Sequence, residues 1–395
     1  MKLKFTLVSF FNTSNIGDLL ISKSLKDKVE RYGDVRTVDY LGTGEVNKKL
    51  ELNYNKNEYS NSLSSLKNKL KTILISLKLE EYALKLLDKK SSNKINDIKY
   101  ENNIIQSDAL IIGGGNMIFD LSPLTLSGSR FEYYINVAKE ANKPIFAISL
   151  GIGPFQNIYQ ERKAVDNLAK CNYITFRDNR SYEIFKTHYP EYKNVSVSPD
   201  PVFQLPFSLN DNIEKDSVGV NIINTDVFQN NMNTNKVISD YISLINSLLE
   251  ETKDNIIIFN TEAKDFSMCK EVYKKFEKND RVKLVKIFNY EDLIKVYSSL
   301  SLLIGTRMHS LITAYSQGIP IIGLSWQDKV DAMFELIEDT NSVYQLENLD
   351  RYVKEIIEKS KSKINNPDNQ KFQRVTRKLN EMDEINVNFL TSLSK

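Results

Sequence analysis

Short apolar runs alternate with amphipathic helical patterns along most of the chain, and this alternation constrains the fold more than any other feature. A run such as Ala109–Ile112 is apolar on both faces, which is typical of a strand in a parallel sheet covered by helices. Parallel strands need long crossovers, usually helical, so the pattern predicts an α/β architecture. The chain has 395 residues, more than the roughly 250–300 at which a single core stops growing. We therefore expect two doubly wound, Rossmann-like domains that face a cleft.

The predicted strands fall into two groups separated by a turn-rich segment. The first group comprises Lys4–Phe10, Ala109–Ile112, Ile145–Leu150, Tyr173–Phe176 and Val195–Val197. The second group comprises Val218–Ile223, Ile256–Asn260, Val282–Val285, Leu302–Ile304 and Ile321–Trp326. Residues 198–217 between the groups carry three prolines, so we predict domains over residues 1–205 and 206–395. Residues 367–393 are predicted to form one polar helix that can pack back across the domains.

One segment departs from the alternation, at about residues 58–100, and it is predicted to be a helical insertion rich in lysine and leucine. Its leucines recur at helical spacing and share one face, namely Leu63, Leu66, Leu70, Leu74 and Leu77. The simpler interpretation is a helical excursion that packs on its own domain. The alternative is a basic amphipathic helix, within residues 60–99, that contacts an anionic membrane surface.

The composition argues against several functional classes. The net charge is +2, so the chain as a whole offers no electrostatic reason for a nucleic-acid partner. Cys171 and Cys269 lie far apart with no histidine nearby, and we predict neither a disulfide scaffold nor a metal site. No apolar run approaches the about 20 residues of a membrane span. We expect a cytoplasmic protein, with peripheral contact at the inner face of the membrane as the alternative.

Glycines and polar residues follow the predicted strands of the first half. In doubly wound sheets ligands bind outside the carboxyl ends of the strands, where glycines let the backbone approach a ligand. Each glycine taken alone is equally explained by tight packing of a strand against a helix, so the shared edge carries the prediction. The cleft candidates of this half are Asn15, Gly17, Asp18, Gly114, Gly115, Asn116, Gly151, Gly153, Arg177 and Asp200.

The segment from Gly305 to Lys329 contains His309, one of only two histidines in the chain. Gly305 is predicted to end a strand. Thr306 is predicted to cap the next helix by accepting the N–H of His309, and this helix is expected to run to about Gln317. The next strand would then end shortly before Lys329.

The segments that follow these two predicted strands lie at the same edge of the sheet. They place Arg307, His309 and Lys329 together at that edge. The first turn of a helix carries free N–H groups and a partial positive charge, and the two fixed cations add to it. With Arg177 reaching across the cleft, this edge is predicted to bind an anion, and His309 is the candidate general acid. The alternative for His309 is a structural role at the helix start.

Several segments resemble the polysaccharide pyruvyl transferase family. In chain order they are SNIGD, ALIIGGGNMIFD, ISLGIGPF, ITFRDNRSYEIF, SPDPVF and GTRMHSLITAYSQGIPIIGLSWQDKVDAMFEL, and together they span nearly the whole chain. The last segment is the most specific. The resemblance implies a GT-B-like pair of domains with the active site between them. It also implies phosphoenolpyruvate as the donor, a sugar of a bacterial cell-surface polysaccharide or its precursor as the acceptor, and no further cofactor.

The resemblance also implies roles for particular residues. In this family an arginine of the RD segment, the histidine of R-x-H and the lysine of D-K are associated with the donor, and here they correspond to Arg177, His309 and Lys329. We add Arg307 as a further donor ligand, because a guanidinium holds a carboxylate or phosphate bidentately. The family often has a histidine in the loop after a strand of the second half, whereas the segment FNTEAKDF has none and retains only Asp265.

Three acids remain open as the base that accepts the proton of the acceptor hydroxyl, namely Asp18, Asp200 and Asp328. Two other functions also remain open. A GT-B glycosyltransferase would hold the diphosphate of a nucleotide sugar at the same helix start. A carbohydrate- or anion-binding protein would keep the cleft without turnover. The sequence leaves open the acceptor sugar, its lipid or nucleotide carrier and the oligomeric state.

Overall fold

The computed structural model describes residues 2–41, 98–120, 127–205, 213–228 and 233–393, and within them the strands form two parallel sheets. The N-terminal sheet has six strands in the order β2-β1-β3-β4-β5-β6. These are β1 Leu3–Ser9, β2 Gly33–Asp39, β3 Ala109–Ile118, β4 Ile145–Ile152, β5 Tyr173–Phe176 and β6 Val195–Val197. The C-terminal sheet has six strands in the order β12-β11-β10-β7-β8-β9. These are β7 Ser217–Asn221, β8 Asn255–Phe259, β9 Val282–Val285, β10 Leu300–Gly305, β11 Ile321–Ser325 and β12 Val343–Gln345.

Helices connect the strands and cover the sheets. In the N-terminal half they are α1 Ile16–Val29, α2 Ile98–Ile105, α3 Ser127–Glu140, α4 Ile158–Leu168 and α5 Asn179–His188. In the C-terminal half they are α6 Thr234–Glu251, α7 Phe266–Tyr273, α8 Tyr290–Ser298, α9 Met308–Ser316, α10 Asp328–Leu336, α11 Leu349–Asn365 and α12 Asn369–Leu393. The predicted α/β class with two doubly wound, Rossmann-like domains is therefore confirmed.

The predicted strands are present, and β9 has the predicted bounds. Two strand ends were predicted too early, because β3 and β4 continue through their glycines to Ile118 and Ile152. Two edge strands, β2 and β12, were not predicted. β2 is half exposed and carries charged residues, and β12 has three residues, so neither shows the apolar run on which the predictions rest.

One hydrophobic core continues from the first domain into the second. It contains Leu20 of α1, Leu311 of α9 and Val202, all of which are completely buried. Val202 belongs to a short 3₁₀ helix, Pro201–Gln204, that lies between the domains. The carbonyl oxygen of Pro201 accepts a hydrogen bond from the hydroxyl of Ser24 at 2.7 Å. Burial of apolar surface from both halves holds the two sheets at a set orientation.

Helix α12 follows the last part of the second domain and packs against the first. The Phe389 ring lies 4.4 Å from the Phe146 ring and 4.5 Å from the Tyr173 ring, measured between centroids. One helical turn earlier, the buried Asn386 accepts a hydrogen bond from Thr175 at 2.9 Å and donates one to Ser198 at 2.6 Å. The helix thus contacts the strands that lead to Arg177 and Asp200.

The predicted insertion at 58–100, with its basic amphipathic helix, lies outside the described residues except for residues 98–100, which begin α2. Among the helices that the structure describes, none is both long enough and apolar enough to cross a bilayer.

Candidate active site

The carboxyl ends of the two sheets face each other because two of their loops are joined. Asn15, at the start of α1, forms an antiparallel bridge with Glu262 in the loop after β8. The Ile16 N–H donates to the carbonyl oxygen of Thr261 at 2.9 Å, and the side chain of Asn15 accepts from the Gly17 N–H at 2.9 Å. Asn15 therefore holds both the start of α1 and the join between the domains.

A cluster of three side chains lies at this junction, with Arg177 and Asp200 buried and His309 partly buried. Arg177 follows β5, Asp200 follows β6, and His309 stands in the first turn of α9. The Asp200 Oδ2 atom lies 3.3 Å from Arg177 Nη1 and 3.6 Å from His309 Nε2. Arg177 Nη1 lies 3.5 Å from His309 Nε2. The imidazole is thus placed between a carboxylate of the first domain and a guanidinium.

The environment of Asp200 favours its ionised form. Burial alone would raise the pKa of this carboxyl, but the hydrogen bond and charge of His309, together with the charge of Arg177, outweigh it and lower the pKa. The Val202 N–H also donates to Asp200, at 3.1 Å. An ionised carboxylate beside an imidazole orients the ring and stabilises its protonated form.

Two of the predicted glycines make room for this cluster. A Cβ atom on Gly17 would lie 2.4 Å from both Cβ and Nδ1 of His309. A Cβ atom on Gly151 would lie 2.8 Å from Nε of Arg177. Any side chain at either position would displace the histidine or the arginine, so both glycines belong to the site because of close approach.

The other candidates of the first half lie within or just after strands. Gly114 and Gly115 are inside β3 with φ angles of 78° and 82°, and Gly153 follows β4 with a φ of 74°. The space beside Gly114 is filled by Ile21, so this glycine serves packing of β3 against α1. The side chain of Asn116 donates to the carbonyl oxygen of Gly153 at 2.8 Å and joins the two strand ends.

Lys329 lies in the first turn of α10, and its ammonium is 5.4 Å from the centroid of the Trp326 ring. Burial is the largest cause that lowers the pKa of this ammonium to about 8, and the charges of Arg177 and Arg307 lower it further. Among the described residues, no carboxylate lies within ion-pairing distance of Lys329. This cation is therefore left available to an anion that enters the cleft.

Arg307, unlike Lys329, is paired with carboxylates of its own domain. Its Nε and Nη2 atoms donate to Asp265 at 2.8 and 2.7 Å, and its Nη1 atom pairs with Glu262 at 2.7 Å. Two carboxylates thus occupy the guanidinium, which cannot at the same time hold an anion bidentately. In the structure its side chain ties the start of α9 to the loop after β8, a role that the prediction of Arg307 as a bidentate donor ligand did not include.

The predicted cap of α9 is also wrong. Helix α9 begins at Met308, and Arg307 is its N-cap residue without a capping side-chain hydrogen bond. The hydroxyl of Thr306 donates to the carbonyl oxygen of Asn221 at 3.0 Å and shares a hydrogen bond with Tyr241 at 2.6 Å. Because β10 extends through Gly305, Thr306 stays bonded to the sheet and cannot turn toward the helix.

The remaining acids occupy different surroundings. Asp18 is partly buried in the first turn of α1, and burial is the main reason that its pKa is raised, while the charge of His309 is the largest opposing influence. Asp328 is 83% exposed and pairs with Arg180 at 3.1 Å. Of these two, only Asp18 lies in the electrostatic surroundings of the Arg177–His309 cluster.

A cavity of 490 Å³ opens beside the cluster and is lined by both domains. Arg177 and Lys329 stand in its lining, and His309, which is 14% exposed, adjoins it through its contact with Arg177. Its size falls within the about 300–1,000 Å³ of small-molecule sites. In the described ranges, no three His, Cys, Asp or Glu side chains are grouped as ligands for a metal ion.

Sequence reasoning missed three residues of this site. Glu262 follows β8 at the carboxyl edge of its sheet, so the rule that found Asp200 could have found it too. Phe228 and Trp326 line the cavity from separate loops of the second domain, and only the folded chain brings the two rings together.

The chain matches the family model for polysaccharide pyruvyl transferase over residues 15–328, a range that includes Arg177, Asp200 and His309 and ends one residue before Lys329. The curated proteins contain no match to it. Solved structures share its fold. The UDP-GlcNAc 2-epimerase of Neisseria meningitidis, bound to UDP-GlcNAc, has a TM-score of 0.56 at 12% identity, covering 99% of this chain and 100% of that one. The UDP-GlcNAc 2-epimerase of Methanocaldococcus jannaschii has a TM-score of 0.52 at 12% identity, covering 96% and 100%.

Identities this low show the fold alone, which is the GT-B-like pair of Rossmann-like domains. The family match carries more, because it extends over most of the chain and contains the residues that meet between the sheets. The chain belongs to the polysaccharide pyruvyl transferase family, and it is a transferase.

Proposed function

We propose that the protein transfers the pyruvyl group of phosphoenolpyruvate to a sugar of a bacterial cell-surface polysaccharide or its precursor, forming a cyclic ketal. The observation that carries the proposal is the position of Lys329, a cation without a carboxylate partner among the described residues, in the same cavity as Arg177. Two fixed cations on one cavity suit a small donor that carries both a carboxylate and a phosphate.

In the proposed reaction, an acceptor hydroxyl attacks C2 of phosphoenolpyruvate while the methylene carbon C3 receives a proton. His309 donates this proton, and Asp18 takes the proton of the hydroxyl. The bond between C2 and the phosphate oxygen then breaks, and the phosphate leaves with the proton held by Asp18. A second acceptor hydroxyl attacks C2 and closes the ketal, and its proton restores His309.

The surroundings of the acids support these assignments. Asp200 is buried and held ionised by His309 and Arg177, so it suits the role of orienting the imidazole rather than that of a base. Asp328 is exposed and paired with Arg180. The raised pKa of Asp18 makes its carboxylate a stronger base at neutral pH, which favours general-base catalysis.

Affinity for phosphoenolpyruvate should fall as the pH rises through about 8, because the pKa of Lys329 is lowered to about 8 in the free protein. Below this pH the ammonium is charged and ready for the donor. Above it, binding must first take up a proton, so affinity should fall by up to about tenfold per pH unit. The second pKa of the donor's phosphate is about 6, so the charge of the phosphate changes little over this range. Calorimetric titration from about pH 7 to 9 measures the effect.

The Lys329→Met variant supplies the control for this experiment. It should bind phosphoenolpyruvate more weakly at neutral pH and lose most of the pH dependence around 8, because the titrating ammonium is gone. UDP-GlcNAc should give no heat in the same protein. If the nucleotide sugar binds and phosphoenolpyruvate does not, the donor assignment is wrong and glycosyl transfer becomes the better interpretation.

The Gly17→Ala variant should turn over about 10²-fold more slowly, because a methyl group 2.4 Å from His309 Cβ must push the imidazole away from its position. Phosphate release from phosphoenolpyruvate in the presence of acceptor measures the rate. Gly128→Ala is the matched control, since it also adds a methyl group in a helix but lies in α3 against Gln160 and Lys163. Equal activity of the two variants would show that the contact between Gly17 and His309 has no catalytic consequence.

A further inference from the structure

Two aromatic side chains, Phe228 and Trp326, form a corner of the cavity that has no role in binding the donor. Phe228 and Trp326 stand with ring centroids 5.3 Å apart and ring planes at 69°, and both line the cavity. Phosphoenolpyruvate is a small anion without an extended apolar face, so two cations suffice to hold it. Partly exposed aromatic rings beside these cations therefore suit a second ligand with an apolar surface.

The corner is held in place by its own contacts. The indole N–H of Trp326 donates to the carbonyl oxygen of Thr306 at 3.1 Å, which sets the orientation of the ring relative to the start of α9. The ammonium of Lys329 lies over the Trp326 ring, 5.4 Å from its centroid, and Lys329 belongs to the first turn of α10, directly after β11. Because the same short segment carries the aromatic ring and the free ammonium, a molecule on the corner adjoins a donor held by Lys329.

Polar side chains with planar groups line the same cavity as the corner. They are Asp178, Arg180, Gln327, Asp328, Gln345 and Glu347. Carboxylates, amides and a guanidinium offer donors and acceptors to several hydroxyl groups at once. Three of these side chains are anionic and one is cationic, so the lining other than Arg177 and Lys329, which the donor occupies, disfavours an acidic sugar.

We propose that the Phe228–Trp326 corner is the binding site for the acceptor sugar and that this sugar is a neutral pyranose. The C–H face of the ring packs against the aromatic corner, and its hydroxyl groups bond to the polar rim. This places the hydroxyls of the sugar next to the donor between Lys329 and Arg177. The inference rests on the proposed function for the identity of the ligand as an acceptor.

The chain has a single tryptophan, so its fluorescence reports on this corner alone. The probes are methyl β-D-glucopyranoside and methyl β-D-galactopyranoside, titrated into the wild type and into the His309→Gln variant loaded with phosphoenolpyruvate. We expect a saturable change in the emission of Trp326. Mannitol, which has hydroxyls without a ring face, should give none, and methyl β-D-glucuronide should bind at least tenfold more weakly than the glucoside.

A matched pair of variants tests the corner without removing the fluorophore. Phe228→Leu should weaken pyranoside binding about tenfold, while the affinity for phosphoenolpyruvate, measured by calorimetry, stays within threefold. Phe288→Leu, at a phenylalanine that is 49% exposed and outside the cavity lining, should bind the pyranosides like the wild type.

The outcomes separate the two proposals. If phosphoenolpyruvate binds but neither pyranoside changes the emission, the corner is not the sugar site and the proposed function stands. Saturable binding of uridine without a response to pyranosides would overturn the inference in favour of a nucleobase carried by the acceptor. If phosphoenolpyruvate fails to bind while the pyranosides do, the proposed donor is wrong and the sugar site remains.

Discussion

Replacing His309 by glutamine should lower turnover by about 10²- to 10⁴-fold, the contribution of a positioned general acid. Glutamine keeps much of the side-chain length and a hydrogen-bonding group near Asp200, but it cannot deliver a proton. The affinity for phosphoenolpyruvate should stay within a few-fold of the wild type, because Arg177 and Lys329 remain. A loss of kcat with binding retained is the expected signature of a group that acts in the transition state.

The other histidine of the chain is the natural control for this variant. His188 pairs with Glu161 at 2.7 Å, at the end of α5 and away from the cavity lining. His188→Gln should leave turnover unchanged within twofold. Phosphate release under saturating phosphoenolpyruvate measures both variants. Turnover of His309→Gln within tenfold of the wild type would assign the protonation of the methylene carbon to another group.

Removing the carboxylate of Asp383 should destabilise the protein by about 3–5 kcal/mol, the usual cost of breaking a buried ion pair. Lys28 Nζ lies 2.5 Å from Asp383 Oδ2, and the two side chains are 9% and 5% exposed. Burial lowers the pKa of Lys28, and Asp383 is the main influence that opposes this. The Asp383→Ala variant leaves the ammonium buried and unpaired, so the free energy of unfolding in urea should fall.

The pH dependence of this loss provides a check on its cause. The pKa of Lys28 in the folded protein is lowered relative to its value in the unfolded chain, and it should fall further without Asp383. The folded variant then prefers the neutral amine, so the stability of Asp383→Ala should increase with pH up to the pKa of an unfolded lysine. A loss that stays constant over this range would point to packing instead of charge.

Two further variants define the comparison. Glu384→Ala removes the neighbouring exposed carboxylate on α12 and should change stability by less than about 0.5 kcal/mol. The double variant Lys28→Met, Asp383→Leu replaces the ion pair by apolar side chains and should recover most of the stability. If Asp383→Ala is as stable as Glu384→Ala, α12 contributes little to the fold through this pair.

Much of the fold was predictable because its signal is local. The apolar run of β5, Tyr173–Phe176, predicts its bounds without error, since a buried strand needs only a few consecutive apolar residues. The edge strands escaped prediction because β2 pairs on one side only and exposes charged residues there. The ends of β3 and β4 were predicted too early because glycine is a weak signal for a strand. In the folded chain both strands continue through their glycines because they pair with each other.

The candidate site also has a part that the sequence predicts and a part that it does not. The residues that follow strands could be found from the sequence, because all carboxyl ends of a parallel sheet lie at one edge. Their partners could not be found in this way. The sequence left Asp200 as one of three candidate bases. Only its contacts with Arg177 and His309 in the folded chain distinguish it from Asp18.

The sequence by itself determined the two parallel sheets and the edge at which Arg177, His309 and Lys329 stand, because the spacing of apolar residues sets where strands and helices begin and end. Only the tertiary structure decided which cations of that edge are free. Arg307 meets Asp265, which is 42 positions away in the chain, whereas no carboxylate within the described residues pairs with Lys329. Local periodicity carries no information about distances between such separated residues, so packing of the two domains selects the cation that an anion can reach.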